Sequence, residues 1–156
     1  MLDRRHPCRL EPEAYRNPGE TVFVTINAGT HLACHVVADT LMRKMSRMDE
    51  LCGTEVRAYV IMPDHLHVVV HLAYDGGDIQ KWVRYFKREV VRSLRRPGMW
   101  QRSYWDRHMR RDQDEETAIL YVLNNPVRKQ LCEHVFDWPY SWSCYHPACK
   151  GPAPRG

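Results

Sequence analysis

Residues 59–72 read YVIMPDHLHVVVHL, and their alternation predicts a strand with two different faces. Successive side chains of a strand point to opposite sides, so one face carries an apolar row and the other carries His65, His67 and His71. The Cα atoms of His65 and His67 are then roughly 6.5–7 Å apart, which lets both imidazoles bind one metal ion. His71 lies about 13 Å beyond His67 along the same face, so we leave it out of the metal site.

A lone H-x-H pattern is more often a half-buried strand with solvated histidines than a metal site. The residues just before the histidine pair favour the metal site over that interpretation. Met62, Pro63 and Asp64 interrupt an apolar run, and Pro63 has no N–H to donate to a sheet. The sequence therefore predicts two paired strands that meet at a tight connection, with the histidine pair where the second strand begins.

The composition fits one domain over residues 1–156, with an irregular arm at 1–20 and an aromatic tail at 132–156. No run reaches transmembrane length and no signal peptide opens the chain, so we expect a cytoplasmic protein without a membrane partner. The six cysteines include no C-x-x-C pair, which indicates neither a zinc ribbon nor a disulfide framework. Cys144, His146 and Cys149 could bind a metal, but tail residues without that role are the better interpretation.

Positive charge is concentrated in one region. Residues 81–111 contain eleven basic residues and two acidic ones, whereas the net charge of the whole chain is +4. Such a cluster indicates an anionic partner. Trp100, Tyr104 and Trp105 lie among these charges, and aromatic side chains beside Lys and Arg suit single-stranded nucleic acid.

Hydrophobic periodicity predicts four strands and three helices. The strands cover residues 21–27, 55–62, 65–73 and 104–111. The helices cover residues 30–51, 78–96, and 113 to 124 or 125. This order predicts an α+β, ferredoxin-like split βαβ fold, in which two helices cover one face of an antiparallel sheet and a C-terminal helix is added.

Each predicted helix has a capping residue at its N-terminus. Thr30 and Asp78 are the expected caps of the first two helices, and Asp112 with Glu115 has the form of a capping box for the third. In the first helix, Val36 is expected on the inner side together with five other apolar residues, which are Leu32, Val37, Leu41, Met45 and Met48.

Four stretches together resemble single-tyrosine HUH nucleases, and most closely the REP-associated tyrosine transposases. They are RNPGETVFVT at 16–25, YVIMPDHLHV at 59–68, WQRSYWDR at 100–107 and YVLNNPVR at 121–128, followed by DWPYS at 137–141. Each stretch alone is a moderate signal, and their shared order makes the combination strong. Many members of that family have Asn where this chain has Asp64.

The resemblance implies that His65 and His67 are the metal pair and that Tyr121, on the added helix, is the nucleophile. Without the histidine strand, Tyr121 would be interpreted as an amphipathic aromatic on a helix flank. The family's third ligand often follows the tyrosine by one helical turn, which here is Asn125. An amide oxygen and two imidazoles suit Mg²⁺ or Mn²⁺.

The implied function is a metal-dependent DNA endonuclease and strand transferase that cleaves single-stranded or hairpin DNA through a 5′-phosphotyrosine. A monomer is favoured over a homodimer. The expected DNA backbone contacts are Arg84, Lys87, Arg88, Arg92, Arg107, Arg110 and Arg111. One alternative is a non-catalytic, domesticated DNA-binding protein that recognises repeated palindromes. Another, an RNA-binding ferredoxin-like domain, would place aromatic residues on the central strands, where this chain has histidines.

Overall fold

The computed structural model describes residues 19–73, 77–109 and 114–154. The predicted arm lies almost wholly outside these ranges, as do Arg110, Arg111 and Asp112. The elements are, in chain order, β1 Thr21–Ala28, α1 His35–Cys52, β2 Thr54–Ile61, β3 His65–Leu72, α2 Ile79–Leu94, β4 Trp100–Met109, α3 Glu115–Leu123, α4 Asn125–Arg128 and β5 Ser141–Ser143.

The five strands form one antiparallel sheet in the order β4-β1-β3-β2-β5. Strands β1 and β3 pair at its centre, and each helical crossover skips one strand. This confirms the ferredoxin-like α+β fold predicted from the order of the elements. The histidine strand is therefore held between two neighbours rather than at an edge of the sheet.

The sheet carries a separate apolar layer on each face. Helices α1 and α2 pack on one face, where Trp82 and Phe86 stack with ring centroids 4.9 Å apart above the even-numbered residues of β1 and β3. On the other face, Ile119 and Leu123 of α3 pack against Val69 and residues of β2. The added helix thus lies on the same face of the sheet as the histidine row.

A bulge in β2 brings a charged residue to the α3 face. The pairing with β3 shifts between Val56 and Ala58, which leaves Arg57 as the extra residue. The Arg57 Nε atom lies 3.6 Å from a carboxylate oxygen of Glu115, the first residue of α3. The bulge therefore joins the sheet to the start of the added helix.

Helix α1 begins later than predicted, and Thr30 is not its cap. Cys34 is the N-cap residue and makes no side-chain capping bond. The backbone N–H of Leu32 donates to the carbonyl of Pro63 at 2.8 Å, so residues 29–34 are tied to the β2–β3 connection instead of continuing the helix. The expected inner position of Val36 is also wrong, because its side chain is 71% exposed.

Of the other two predicted caps, Asp78 is confirmed and Asp112 is wrong. The Asp78 side chain accepts from the backbone N–H of Lys81, as predicted. The N-cap of α3 is Asp114, which accepts from the N–H groups of Glu116 and Thr117. The predicted cap at Asp112 is therefore wrong by two residues. An Asp at the N-cap accepts these N–H groups directly, without the reciprocal bond of a capping box.

The tail packs onto the sheet and adds a fifth strand that the sequence did not predict. Strand β5 pairs with β2, and Trp138 Nε1 donates to the carbonyl of Ile61 at 3.0 Å. Further along, the hydroxyl of Tyr59 donates to the carbonyl of Pro152 at 2.7 Å. These bonds bury Gly151, whose N–H donates to the carbonyl of Ser141.

Gly151→Ala is expected to lower the free energy of unfolding by about 1–3 kcal/mol, because a small core residue is being enlarged. A Cβ at this position would lie 2.7 Å from the Tyr59 hydroxyl and closer still to the Ser141 carbonyl oxygen. Denaturant unfolding measures the effect. Gly29→Ala is the control, since nothing lies within 4 Å of its added Cβ. Equal stability of the two variants would contradict this packing of the tail.

Candidate active site

The two histidines at the start of β3 point their Nε2 atoms at one position. These atoms are 3.1 Å apart. The Nδ1 atom of His65 is 2.7 Å from a carboxylate oxygen of Asp64, and that of His67 is 2.9 Å from the hydroxyl of Thr25 on β1. Partners on Nδ1 fix the ring orientations and leave both Nε2 atoms for a ligand, as in protein metal sites.

His67 is held in its neutral form. Burial lowers the pKa of His67 to about 3, and repulsion from His65 and Arg128 adds to the effect. The hydrogen bond from His65 lowers the pKa of the Asp64 carboxyl. Neutral imidazole is the form that binds metal ions, so His67 needs to lose no proton first.

The separation of the two nitrogens fits a small octahedral cation. Mg²⁺ binds its ligands at about 2.0–2.1 Å, which places neighbouring ligands of an octahedron about 3 Å apart. Within residues 19–73, 77–109 and 114–154, no group of three or more His, Cys, Asp and Glu could hold a metal ion. A metal bound here would therefore need oxygen ligands of another kind in addition to His65 and His67.

Helix α3 and the sheet form a cavity of about 670 Å³ beside His67. His67 and Thr25 line it from the sheet, and Tyr121 and Asn125 line it from α3 and the start of α4. Tyr121 is 65% exposed, so most of its side chain is accessible. Three of the residues predicted to act together, His67, Tyr121 and Asn125, thus line one cavity, and His65 adjoins His67.

Arg128 contacts both Tyr121 and Asn125, and sequence reasoning assigned it no role. Its guanidinium carbon lies 4.2 Å from the centre of the Tyr121 ring, and its Nη2 donates to Asn125 Oδ1 at 2.7 Å. The Asn125 amide nitrogen donates to the carbonyl of Val122 at 2.6 Å, which fixes the orientation of the amide. An amide oxygen has two lone pairs, so Asn125 Oδ1 keeps one for a further ligand. The available signal was the three-residue spacing of Asn125 and Arg128.

A second polar cluster anchors the first turn of α3. The Glu115 carboxylate accepts from the hydroxyls of Thr21, at 2.6 Å, and Tyr145. The bond to Glu115 raises the pKa of Tyr145 to about 12. His71 Nδ1 lies 3.2 Å from the Thr21 hydroxyl, so this histidine belongs to the anchoring cluster. The cluster joins the sheet, the tail and the helix that carries Tyr121.

The predicted DNA contacts that the structure describes lie on both faces of the sheet. Arg107 lines the cavity, together with the unpredicted Arg128. The four predicted contacts on α2 are carried by a helix that packs on the opposite face of the sheet, and they are Arg84, Lys87, Arg88 and Arg92. Arg110 and Arg111 lie outside the described residues.

Contacts within the protein already engage the four basic side chains of α2. Lys87 Nζ donates to the carbonyl of Gln101 at 2.6 Å, and burial lowers its pKa. Arg84 and Arg88 lie over the ring of Tyr85, at 5.2 Å and 4.6 Å from its centre. Arg92 is 3.4 Å from Glu89. Lys87 therefore joins α2 to β4, and the DNA contacts of this group remain a prediction.

The aromatic residues of β4 also lie on both faces of the sheet. Tyr104 is buried in the layer beneath α1 and α2, and Trp100 packs on Phe86 with ring centroids 5.9 Å apart. Trp105 lines the cavity. Of the three aromatics that suggested nucleic-acid binding, only Trp105 is therefore placed beside His67 and Tyr121.

No helix in the described parts of the chain has the length and apolar character needed to cross a membrane. The cytoplasmic location predicted from the sequence stays a prediction.

Comparison with known proteins supports the resemblance seen in the sequence. A protein described as a REP-associated tyrosine transposase in Haemophilus influenzae is 32% identical, over 56% of this chain and 57% of that protein. The REP-associated tyrosine transposase of Escherichia coli is 28% identical, over 56% of this chain and 53% of its own length. The chain therefore spans about half the length of these curated relatives.

A solved structure and a protein family both match most of the chain. The structure of a REP-associated tyrosine transposase bound to a REP hairpin matches with a TM-score of 0.72 at 23% identity, covering 90% of this chain and 82% of that one. This match establishes the shared fold. Residues 20–125 match the family described as "Transposase IS200 like", a span that includes the histidine strand and α3. On the strength of that match, the chain belongs to the IS200-like transposase family.

Proposed function

We propose that the protein is a metal-dependent DNA endonuclease and strand transferase that cleaves single-stranded or hairpin DNA through a 5′-phosphotyrosine. One observation carries this proposal. Tyr121 and His67 line the same cavity, and the Nε2 atom of His65 lies 3.1 Å from that of His67. This arrangement would let one chain supply both the nucleophile and a pair of metal ligands to a bound DNA strand.

The covalent step uses the hydroxyl of Tyr121. Its oxygen attacks the phosphorus of a DNA phosphodiester, and a bond from Tyr121 to the 5′-phosphate forms while the bond to the 3′-oxygen breaks. The tyrosine loses its proton and the leaving 3′-oxygen gains one. Because the phosphoester energy is conserved, a 3′-OH can attack the phosphotyrosine in turn and reseal the strand without ATP.

His65, His67 and Asn125 would hold the divalent cation, Mg²⁺ or Mn²⁺. When bound, such an ion polarises the scissile phosphate and stabilises the charge that develops on its oxygens. Thr25 and Asp64 hold the two imidazoles in place through Nδ1. Arg128 orients the Asn125 amide and covers one face of the Tyr121 ring.

The packing of α3 supports a monomer. Its Tyr121 lies beside the His67 of its own chain, and Glu115 anchors the helix to the chain's own sheet. Hairpin DNA as the partner is supported by the solved structure of similar fold, which holds a REP hairpin. Both statements are tested by measuring the mass of the complex formed with a hairpin oligonucleotide.

The proposal is tested by incubating the protein with labelled hairpin oligonucleotides that carry single-stranded flanks, with Mg²⁺ or Mn²⁺. A protein–DNA adduct that survives denaturation and requires the metal is the expected result. Tight binding of hairpins without cleavage of any of them would contradict the nuclease. The non-catalytic protein that recognises repeated palindromes would then be the better account.

Arg128→Ala is expected to lower the rate of adduct formation about tenfold, because Asn125 and the Tyr121 ring lose the contact that orients them. Arg128→Lys keeps the charge but not the planar donor, so its rate should also fall. Single-turnover kinetics at saturating DNA measures the effect. Arg47→Ala, which removes an exposed cation paired with Glu50 on α1, is the control. If Arg128→Lys retains the full rate, charge alone explains the contribution of Arg128.

A further inference from the structure

Trp105, Thr25 and His67 form a row across three strands of the sheet. Thr25 on β1 pairs with Trp105 on β4 and with His67 on β3. Directly opposed residues of an antiparallel sheet share a face, so all three point toward α3. Two strand spacings separate the outer members, which places the Cα atom of Trp105 about 10 Å from that of His67. In this row, only Thr25 lies between Trp105 and His67.

The part of the cavity beside this row is apolar. Phe23 and Trp105 line it from the sheet, and Ala118 and Val122 line it from α3. Both aromatic side chains are only partly buried, so each presents ring surface to the cavity. Stacking on such rings is how proteins bind the unpaired bases of single-stranded nucleic acid.

The apolar walls of this part of the cavity favour a base over a phosphate as its occupant. Arg107 and Arg128 line it and are exposed, which suits contact with the DNA backbone at its mouth. The carboxylate of Asp114, the N-cap residue of α3, also belongs to the lining, and it would repel a phosphate placed between the apolar walls. A nucleobase has no charge, and its flat faces can stack on the rings of Phe23 and Trp105.

We propose that this cavity holds one unstacked base of the single strand next to the phosphate that Tyr121 attacks, with Trp105 as its stacking surface. The inference rests on the proposed nuclease function and names its substrate more closely. A strand that is unpaired at the cut is favoured, because a base held in a stem would first have to be unpaired and unstacked to enter the cavity. Hairpin stems are therefore bound elsewhere on the protein.

The test measures binding in a Tyr121→Phe background, so that no cleavage occurs. Each nucleotide of the single-stranded flanks is replaced in turn by an abasic one, and each oligonucleotide is titrated with Trp105 intact or changed to Leu. Trp105→Leu is expected to weaken binding of the intact oligonucleotide about tenfold. One abasic position should cause a similar loss of affinity. Combining it with Trp105→Leu should cause no greater loss of affinity than either change alone.

Trp100→Leu is the matched control, because Trp100 lies on the same strand and packs on Phe86 at the opposite face. Trp100→Leu should change the affinity for the oligonucleotide by no more than about twofold, and no abasic position should mask that change. Thermal unfolding is used to check that both variants are folded. Trp105→Phe should restore most of the affinity. Independent losses at every abasic position would overturn the inference. If the unmodified protein still forms the adduct in that case, the proposed nuclease function stands. If one abasic position masks the effect of Trp105→Leu but no adduct forms, the proposed nuclease function is overturned instead.

Discussion

Tyr121→Phe is expected to abolish the covalent adduct, with a loss of at least about 10⁴-fold in its rate of formation, because the attacking oxygen is removed. The change keeps the ring that lies 4.2 Å from the Arg128 guanidinium. The side chain is 65% exposed, so stability should change by less than about 0.5 kcal/mol. Denaturing electrophoresis of labelled hairpin DNA measures the adduct, and a binding titration should show unchanged affinity.

Tyr140→Phe is the matched control for this loss. It removes a tyrosine hydroxyl in the tail, where the ring packs against Trp138 with centroids 5.6 Å apart, and it should leave the adduct yield unchanged. An adduct that persists in Tyr121→Phe would show that another residue is the nucleophile. Loss of the adduct in both variants would point to a general effect on folding.

His67→Ala is expected to weaken Mn²⁺ binding by at least about 100-fold and to lower metal-dependent cleavage by at least the same factor. Its Nε2 atom, 3.1 Å from that of His65, is one of the two convergent nitrogens of the proposed metal site. Hairpin affinity measured without metal should change little. Calorimetry with Mn²⁺ measures the binding, and the adduct yield against metal concentration measures the activity.

His71→Ala is the control that separates the metal site from the rest of the histidine row. His71 lies on the same face of β3, but its Nδ1 atom is 3.2 Å from the Thr21 hydroxyl in the cluster around Glu115. The Mn²⁺ affinity of this variant should match that of the unmodified protein. Equal losses of Mn²⁺ affinity in His67→Ala and His71→Ala would show that the histidine row acts as a whole or that neither residue is a ligand.

The sequence predicted the sheet well because its signals there are local and repeated. Alternation along residues 65–72 placed Val68 and Val70 toward one layer and His65 and His67 toward the other, and both placements hold. The strand period alone brings two such histidines close enough to share an ion. The grouping of Tyr121 and Asn125 with His67 followed from the resemblance of whole motifs, and all three line the same cavity.

Two of the errors lie at helix ends, where a distant contact outweighs a local preference. Thr30 is a good cap by residue type, but the backbone near it bonds to the carbonyls of Pro63 and Asp64. Asp112 fits a capping box, yet Asp114 caps α3. Strand β5 has only three residues and depends on pairing with β2, so its own sequence carried no signal.

By itself, the sequence determined the fold class, the histidine face of β3 and the helix that carries Tyr121. Each follows from a periodic pattern or from an ordered set of motifs within the chain. Only the tertiary structure decided which charged and aromatic residues join that site. Arg128 and Trp105 line the cavity while the basic residues of α2 lie across the sheet, because packing and strand register bring distant residues to one face.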